Sequence, residues 1–205
     1  MYDEDKEKDE WTHQQVEEDG IVTLAQRYLE HTTTKRMIGF GYDIAKYFTR
    51  LADGRAEFTE LRDDGYRLTH HQKMITPWIL NNRSLYVTTY HKHSSDNFDA
   101  GTYTVFRSSQ GNDKISEANY ERTGDDVEAD MILFWLQCMP MNDKLSRVQF
   151  VIKLNLGGSI PGRLRQVISS KQVGILGMIN DMMKSNPAEF EESFNNAEEV
   201  IGRNI

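Results

Sequence analysis

The amino-acid sequence predicts an α+β protein in which a curved antiparallel sheet wraps around one long helix near the C-terminus. Segments with strand-like alternation follow one another through the middle of the chain. The last of them ends at the pair Gly157-Gly158, and a long helical pattern begins directly afterwards. Because an antiparallel sheet has to bury its apolar face, this helix, the only long one that the sequence predicts, is expected to cover it.

Length and composition restrict the class of protein. The chain has 205 residues, of which 38% are hydrophobic and 10% aromatic, enough for one domain with a substantial core. The net charge of −8 is opposite to that of a general nucleic-acid binder. Cys138 is the only cysteine, so no internal disulfide can form. No signal-peptide pattern and no membrane-spanning apolar run is visible, so a cytoplasmic protein is expected.

The first residues of the chain differ from the middle. Residues 1–10 form an acidic tail that is expected to be disordered or to be the frayed start of a helix. Residues 11–18 are then predicted to form a short helix anchored by Trp11. The predicted domain spans residues 11–185.

The middle of the chain predicts one helix and a series of strands. Residues 43–52 place apolar side chains along one helical face, with Asp43 as the N-cap. A polar segment at 110–126 is long enough for a compact Ω-type loop. The predicted strands lie at 21–30, 66–75, 83–92, 102–109, 130–137 and 146–156.

The last of these strands indicates how the sheet is buried. From Arg147 to Asn155, alternate residues are mostly polar. The residues between them are all apolar, which predicts a sheet with one covered face. These apolar residues are Val148, Phe150, Ile152, Leu154 and Leu156.

The long helix is predicted at 161–184, with Pro161 well placed at its first position. Gly162, Gly174 and Gly177 lie inside it, and each lowers helix stability by roughly 1 kcal/mol relative to alanine. Such weakness suits a lid that opens. The alternative is that the glycines allow close packing on the sheet. A curved sheet beneath one helix leaves a concave space that suits an apolar ligand.

Residues 186–205 form an acidic C-terminal segment. Apolar residues recur in it at helical spacing, which predicts a short amphipathic helix. Such a helix packs on its own domain or docks on a partner, and both alternatives are open. The apolar residues are Phe190, Phe194, Ala197 and Ile201.

Several motifs follow one another in a specific order. They are P-W-x-x-x-N-R at 77–83, the strands RSLYVTTYHK and TYTVFRSS, Trp135, and LNLGGSIPGRLRQV before the C-terminal helix. Together with the strand DGIVTLAQRYLE, they resemble the START domain, the lipid-transfer module related to the steroidogenic acute regulatory protein. The resemblance covers residues 11–184 and implies a helix-grip fold, in which a curved antiparallel sheet holds a long C-terminal helix over a hydrophobic tunnel.

The resemblance also implies a function. A protein of this kind is non-catalytic, binds one lipid per domain and transfers it between membranes. The implied partners are the lipid ligand and, transiently, a membrane surface, with no nucleic acid and with the chain as a monomer. The implied location is the cytoplasm, peripheral to membranes.

Departures from the family pattern bear on the choice of lipid. Ser84 follows Arg83 where the family usually has aspartate. Many sterol-binding members have an arginine in the cavity six residues after Arg83, and this chain has Thr89 there, so a buried charge is expected to be absent. The strand exit GGSIP is more similar to phospholipid and ceramide binders than to sterol binders. A phospholipid is therefore expected ahead of a sterol or a ceramide.

Strand alternation and the predicted inward stripe of the long helix select candidate lipid-binding residues. Polar members of the set are expected to contact a headgroup, because an unpaired polar group in an apolar pocket is unfavourable. A choline-binding cage of Tyr86, Tyr90 and Tyr103 is disfavoured, since Tyr86 and Tyr90 alternate away from Thr89. The candidates are His70, Gln72, Leu85, Val87, Thr89, Trp135, Phe150, Ile152, Ile168, Gln172, Ile175 and Ile179.

Basic residues on the long helix predict a contact with anionic lipid surfaces. Arg163 and Arg165 lie in its first turns, and Lys171 follows further along the same helix. Because positive charge opposes the dipole at a helix N-terminus, a compensating group is expected. The alternative to a membrane contact is an ion pair with the acidic C-terminal segment, for example with Glu191 or Glu192.

An enzyme on a helix-grip scaffold, such as a polyketide-cyclase-like protein acting on a bound hydrophobic substrate, is the alternative function. His70 is the only inward-facing base that the sequence suggests, and no partner for it is evident. Adjacent histidines on a strand point to opposite faces, so His70 and His71 make a poor metal chelate. No catalytic residue, metal site or cofactor is predicted.

Overall fold

A computed structural model gives the fold of this protein for most of its length. The acidic tail up to residue 9 and nearly all of the predicted loop at 110–126 lie outside the described residues. The described residues are 10–17, 20–52, 55–63, 67–76, 81–109 and 126–201.

Nine strands of the described chain join in one sheet. Their order is β1-β2-β9-β8-β6-β5-β4-β3, and each neighbouring pair is antiparallel. The short β7 pairs with β5 in parallel. The strands are β1 Trp11–Glu17, β2 Gly20–Leu29, β3 Ala56–Asp63, β4 Arg67–Met74, β5 Arg83–His93, β6 Tyr103–Ser108, β7 Val127–Glu128, β8 Asp130–Asn142 and β9 Leu145–Asn155.

Four helices accompany the sheet in the described ranges. Thr33 caps α1 by accepting a hydrogen bond from the Arg36 backbone N–H at 3.2 Å. Asp43 precedes α2 as predicted, although its side chain makes no capping bond. The helices are α1 Thr34–Tyr42, α2 Ile44–Leu51, α3 Gly162–Ser185 and α4 Pro187–Ile201.

Three elements differ from the sequence prediction. Residues 11–17 form the edge strand β1 instead of a helix, because they pair with β2 from Trp11 opposite Gln26 to Glu17 opposite Gly20. Neither α1 nor β3 is predicted from the sequence. Two glycines weaken the helical pattern of α1, and β3 is an edge strand with four charged residues.

The inner face of the sheet forms the core. In β9, Val148, Phe150, Ile152 and Leu154 are buried and alternate with half-buried residues, as predicted. The helix α3 covers this face over β2. Its Gln172 Oε1 accepts a hydrogen bond from Thr23 Oγ1 at 2.8 Å, which ties the helix to the sheet.

The prediction that one helix covers the sheet is incomplete, because α1 also packs against it, over β6 and β8. The helix α4 packs on α1, so the C-terminal amphipathic helix packs on its own domain. Phe190 of α4 stacks on Tyr47 of α2 with ring centroids 4.3 Å apart. Glu189 pairs with Arg50 at 2.7 Å and Lys46 at 2.9 Å, and hydrogen bonds from Arg50 and Lys46 lower its pKa to about 2.

The sharp exit from β9 depends on glycine. Gly157 and Gly158 have φ angles of 62° and 59°, in the left-handed region that favours glycine. A Cβ on Gly157 would lie 2.1 Å from the Glu128 carbonyl oxygen. The turn leads through Pro161, one residue before α3 begins, so the predicted first position of the helix is off by one residue.

We expect Gly39→Ala to lower the free energy of unfolding by about 1–3 kcal/mol, the range typical of overpacking. The new Cβ would lie 2.3 Å from the Phe190 carbonyl oxygen, a backbone atom of α4 that cannot rotate away. Gly177→Ala is the matched control, because in the described part of the chain no atom of another element lies within 4 Å of its Cβ position. It should raise the free energy of unfolding by roughly 1 kcal/mol. Denaturant titration measures both, and equal effects would contradict the close α1–α4 contact.

Candidate functional site

A cavity of about 280 Å³ lies on the inner face of the sheet, between α2 and α3. Phe48 and Leu51 of α2 form one wall, and Ile168 and Ile175 of α3 form the other. Strands β4, β5, β8 and β9 provide the floor. The lining is apolar apart from Gln72, Lys171 and Gln172.

A second cavity of about 220 Å³ adjoins the first and shares much of its lining, including Phe48, Met74 and Ile168. It extends towards Ile75 and the end of β9. Ile75 is 37% exposed, and Met178, on the wall of the first cavity, is 39% exposed. The combined space therefore has apolar side chains at its solvent-facing margin.

Half of the predicted lipid-binding residues line the first cavity. They are Gln72, Leu85, Ile152, Ile168, Gln172 and Ile175. Val87, Phe150 and Ile179 are at most 1% exposed and belong to the surrounding core instead. His70 and Thr89 lie behind the wall, where they contact a residue that the sequence prediction did not select.

The sequence prediction that Trp135 lines the lipid-binding space is wrong. Trp135 lies opposite Phe106 and Val151 in the β-ladders, on the outer face of the sheet, and is half-buried. Phe134, the neighbouring residue, is 4% exposed and takes the inward position opposite Ile152. The error has a simple physical cause, since adjacent residues on a strand point to opposite faces.

Arg107 of β6 is fully buried, with 0% of its surface exposed. Its Nε donates to Thr89 Oγ1 at 3.2 Å. Its Nη2 bonds to His70 Nε2 at 2.9 Å and to Gln72 Oε1 at 3.3 Å. Three of the predicted polar residues therefore meet around one guanidinium group.

The expectation that the cavity has no buried charge is wrong. Thr89 does occupy the expected position on β5, but Arg107 on the neighbouring strand is its partner in the β5–β6 register. Alternation could have revealed it, because Tyr103 and Val105 mark the apolar inner face of β6 and Arg107 continues that face.

The surroundings of Arg107 are apolar or neutral. The rings of Phe48 and Phe134 lie 5.8 and 5.7 Å from its Cζ atom. Burial lowers the pKa of Arg107 to about 9, so the group remains charged at neutral pH. Burial and the charge of Arg107 hold the pKa of His70 well below its usual value, so His70 is neutral.

His91 lies on the same inward face of β5. Its Nδ1 is 2.7 Å from the hydroxyl of the buried Tyr103, and the two rings stack. Burial and the charge of Arg107 lower the pKa of His91 to about 4.

The basic residues of α3 have different surroundings. The side chain of Arg163 lies outside the described part of the structure. Arg165 is half-buried beside Gly157 and Gly158, where it lines a cavity of about 210 Å³. Lys171 is exposed at the margin of the main cavity. Glu191 pairs with Arg36 at 2.8 Å, so this acidic residue is engaged elsewhere.

No family model and no curated protein matches the sequence. Solved structures match through their fold. A STAR-related lipid transfer protein from Xanthomonas axonopodis has a TM-score of 0.63 at 15% identity, covering 84% of this chain and 92% of that one. Human STARD10 has a TM-score of 0.57 at 13% identity, with 94% and 72% covered. Human StAR-related lipid transfer protein 5 has a TM-score of 0.54 at 10% identity, with 90% and 81% covered.

These similarities establish the helix-grip fold that the sequence predicted. Among the described helices, none is both long and apolar enough to cross a membrane.

We expect the free energy of unfolding to fall as the pH is lowered from about 6.5 to 4, and His91→Gln to reduce this dependence. Because the folded-state pKa of His91 is lowered to about 4, the unfolded chain binds a proton in this window that the folded chain does not. Each such histidine contributes a slope of up to about 1.4 kcal/mol per pH unit.

Denaturant titrations at several pH values measure the slope for the wild type and the variant. The difference between the two slopes isolates His91 from the carboxylates, which titrate in both proteins. Identical slopes would show that His91 titrates normally in the folded state.

Proposed function

We propose that this chain, which has the helix-grip fold of START domains, binds one lipid between α2 and α3 and carries it between membranes. The observation that carries the proposal is the apolar cavity on the inner face of the sheet, flanked by a helix that three glycines weaken. No described atom of a neighbouring element lies within 4 Å of the Cβ position of any of these glycines, so the described packing does not explain them. This supports the lid role of α3.

The proposed ligand is a phospholipid ahead of a sterol or a ceramide, as the strand exit GGSIP suggests. The two cavities, about 280 and 220 Å³, are small compared with the roughly 300–1,000 Å³ of typical ligand pockets. A lipid with two acyl chains therefore requires α3 to move outward when it binds. The solvent-facing position of Met178 on α3 is compatible with such a movement.

We further propose that the margin of the cavity touches the membrane. Lys171 is exposed there, and Ile75 and Met178 present apolar side chains beside it. A basic residue near an anionic surface contributes about 1 kcal/mol of attraction. In a chain of net charge −8, this contact, with Arg163 and Arg165 at the start of α3, would orient the cavity towards the bilayer. The proposed location is accordingly cytoplasmic and peripheral, and the proposed state is a monomer.

An enzyme acting on a bound hydrophobic substrate is the weaker candidate. A general base needs a free acceptor and a pKa near the working pH. His70 Nε2 is engaged with Arg107, and the pKa of His70 is held far below neutrality. These observations favour a carrier.

We expect purified protein to take up about one lipid per chain and to move it between vesicles, since the two adjoining cavities share much of their lining and can hold one ligand. Ile175→Trp should abolish uptake, because the indole would extend into the cavity that Ile175 lines. Asp181→Trp is the matched control on the exposed face of the same helix. Native mass spectrometry and transfer of a fluorescent phospholipid measure the two steps. Normal uptake by Ile175→Trp would place the ligand elsewhere, and no uptake by the wild type would refute the proposal.

We expect the double change Gly174→Ala and Gly177→Ala to raise stability and to slow lipid exchange. Each alanine stabilises the helix by roughly 1 kcal/mol, which favours a closed α3 over an open one. Thermal unfolding of the empty protein and the rate of fluorescent-lipid release measure the two effects. An unchanged or faster release from a more stable protein would mean that α3 is not the gate.

A further inference from the structure

We propose that the ligand carries an anionic oxygen group, a carboxylate or a phosphate, which enters the cavity first and binds Arg107, His70 and Gln72 at its inner end. These three residues are called the donor cluster below. The inference rests on the proposed lipid-binding function and names the chemistry of the ligand.

The first argument is charge. Arg107 is fully buried, and among the described residues no carboxylate lies within ion-pair distance of it. Its hydrogen-bonding partners, Thr89, His70 and Gln72, are all neutral. The faces of the Phe48 and Phe134 rings also lie near the Arg107 guanidinium group, and neither ring carries a negative charge. A buried charge that is not paired is strongly unfavourable, and the described residues supply no negative group to pair with this one.

The second argument is the direction of the hydrogen bonds. A guanidinium group has only donors, so His70 Nε2 and Gln72 Oε1 must accept from Arg107. Because neutral histidine carries one proton, the hydrogen of His70 lies on Nδ1. His70 Nδ1 and Arg107 Nη1 are both buried without a partner among the described residues. The NH₂ group of the Gln72 amide adds a further donor at the cavity wall. The two buried groups left here without a described partner, His70 Nδ1–H and Arg107 Nη1–H, are both donors, which selects an acceptor.

The third argument is position. Gln72 and Phe48 line the main cavity, and both contact Arg107 from the other side. One layer of side chains therefore separates the guanidinium group from the empty space. Rotation of the Gln72 side chain opens this layer and brings an anionic group against Arg107 Nη1. Apart from Lys171 and Gln172, the rest of the described cavity wall is apolar and suits an acyl chain that trails behind the acidic group.

Matched lipid pairs test the inference. Oleate against oleyl alcohol isolates a carboxylate, and phosphatidic acid against diacylglycerol isolates a phosphate. Dissociation constants follow from displacement of a fluorescent apolar probe. The wild type should bind the acidic member of at least one pair roughly tenfold more tightly, the size of one charge-assisted hydrogen bond. The pair with the larger preference identifies the acidic group that the site accepts.

Arg107→Met should remove this preference while the neutral lipids bind as before. Since the substitution replaces an unpaired buried charge with an apolar side chain, the melting temperature of the empty protein should be unchanged or higher. Arg147→Met is the matched control, a half-buried arginine on the outward-facing side of β9, and it should keep the preference. Adding the acidic lipid should raise the melting temperature of the wild type and of Arg147→Met more than adding its neutral counterpart does, whereas the two lipids should raise that of Arg107→Met equally.

Glu60 provides a second control, because it pairs with His70 in the β3–β4 register and its side chain lies outside the described part. Glu60→Gln should leave the preference for acidic lipids unchanged. A marked gain in that preference would make Glu60 the partner of Arg107 and overturn the inference.

The affinities of the wild type for acidic and neutral lipids test the inference without any variant. Equal affinity for acidic and neutral lipids would overturn the inference and leave the lipid-carrier proposal standing. Failure to bind any of the four lipids would overturn both.

Discussion

The need to cover the apolar inner face of the sheet determines how the rest of this structure is arranged. One helix cannot cover a sheet of this width, so α3 packs over β2 while α1 and α4 pack together at the other end. Between them, α2 is held by stacking of Tyr47 on Phe190 and by ion pairs to Glu189. The space that remains between α2 and α3 is the cavity. It exists because two helical layers, α3 on one side and α1, α2 and α4 on the other, meet there without filling it.

The two layers differ in how tightly they pack. The contact between α1 and α4 brings Gly39 against the backbone of Phe190, which leaves no room for a side chain. The helix α3 has three glycines whose Cβ positions meet no described atom of a neighbouring element, and Gln172 and Asn180 are among its polar anchors. Regions with few packed contacts open at lower free energy than the core. Motion is therefore expected in α3, and the α1–α4 pair provides the rigid frame.

Sequence patterns predicted the parts of the fold that depend on local rules. The alternation in β9 and the turn at Gly157 can be predicted from the sequence. A strand requires apolar residues at every second position, and a left-handed turn favours glycine. β1 and β3 could not be predicted, because edge strands are specified by their pairing partners. Half of the predicted site residues line the cavity, because apolar lining residues follow the alternation. Alternation in β6 also places Arg107 on the inner face, but its contact with Thr89 depends on β6 lying beside β5.

Arg107 also illustrates how stability and function compete in one residue. An apolar side chain of similar volume would remove an unpaired buried charge, and such replacements are commonly neutral or stabilising. The surroundings nevertheless are arranged around the arginine, since Thr89, His70 and Gln72 each direct a polar atom at it from two adjacent strands. Arg107 lies directly behind the wall of an apolar cavity and keeps one donor unsatisfied among the described residues, which is explained if the missing acceptor arrives with the ligand.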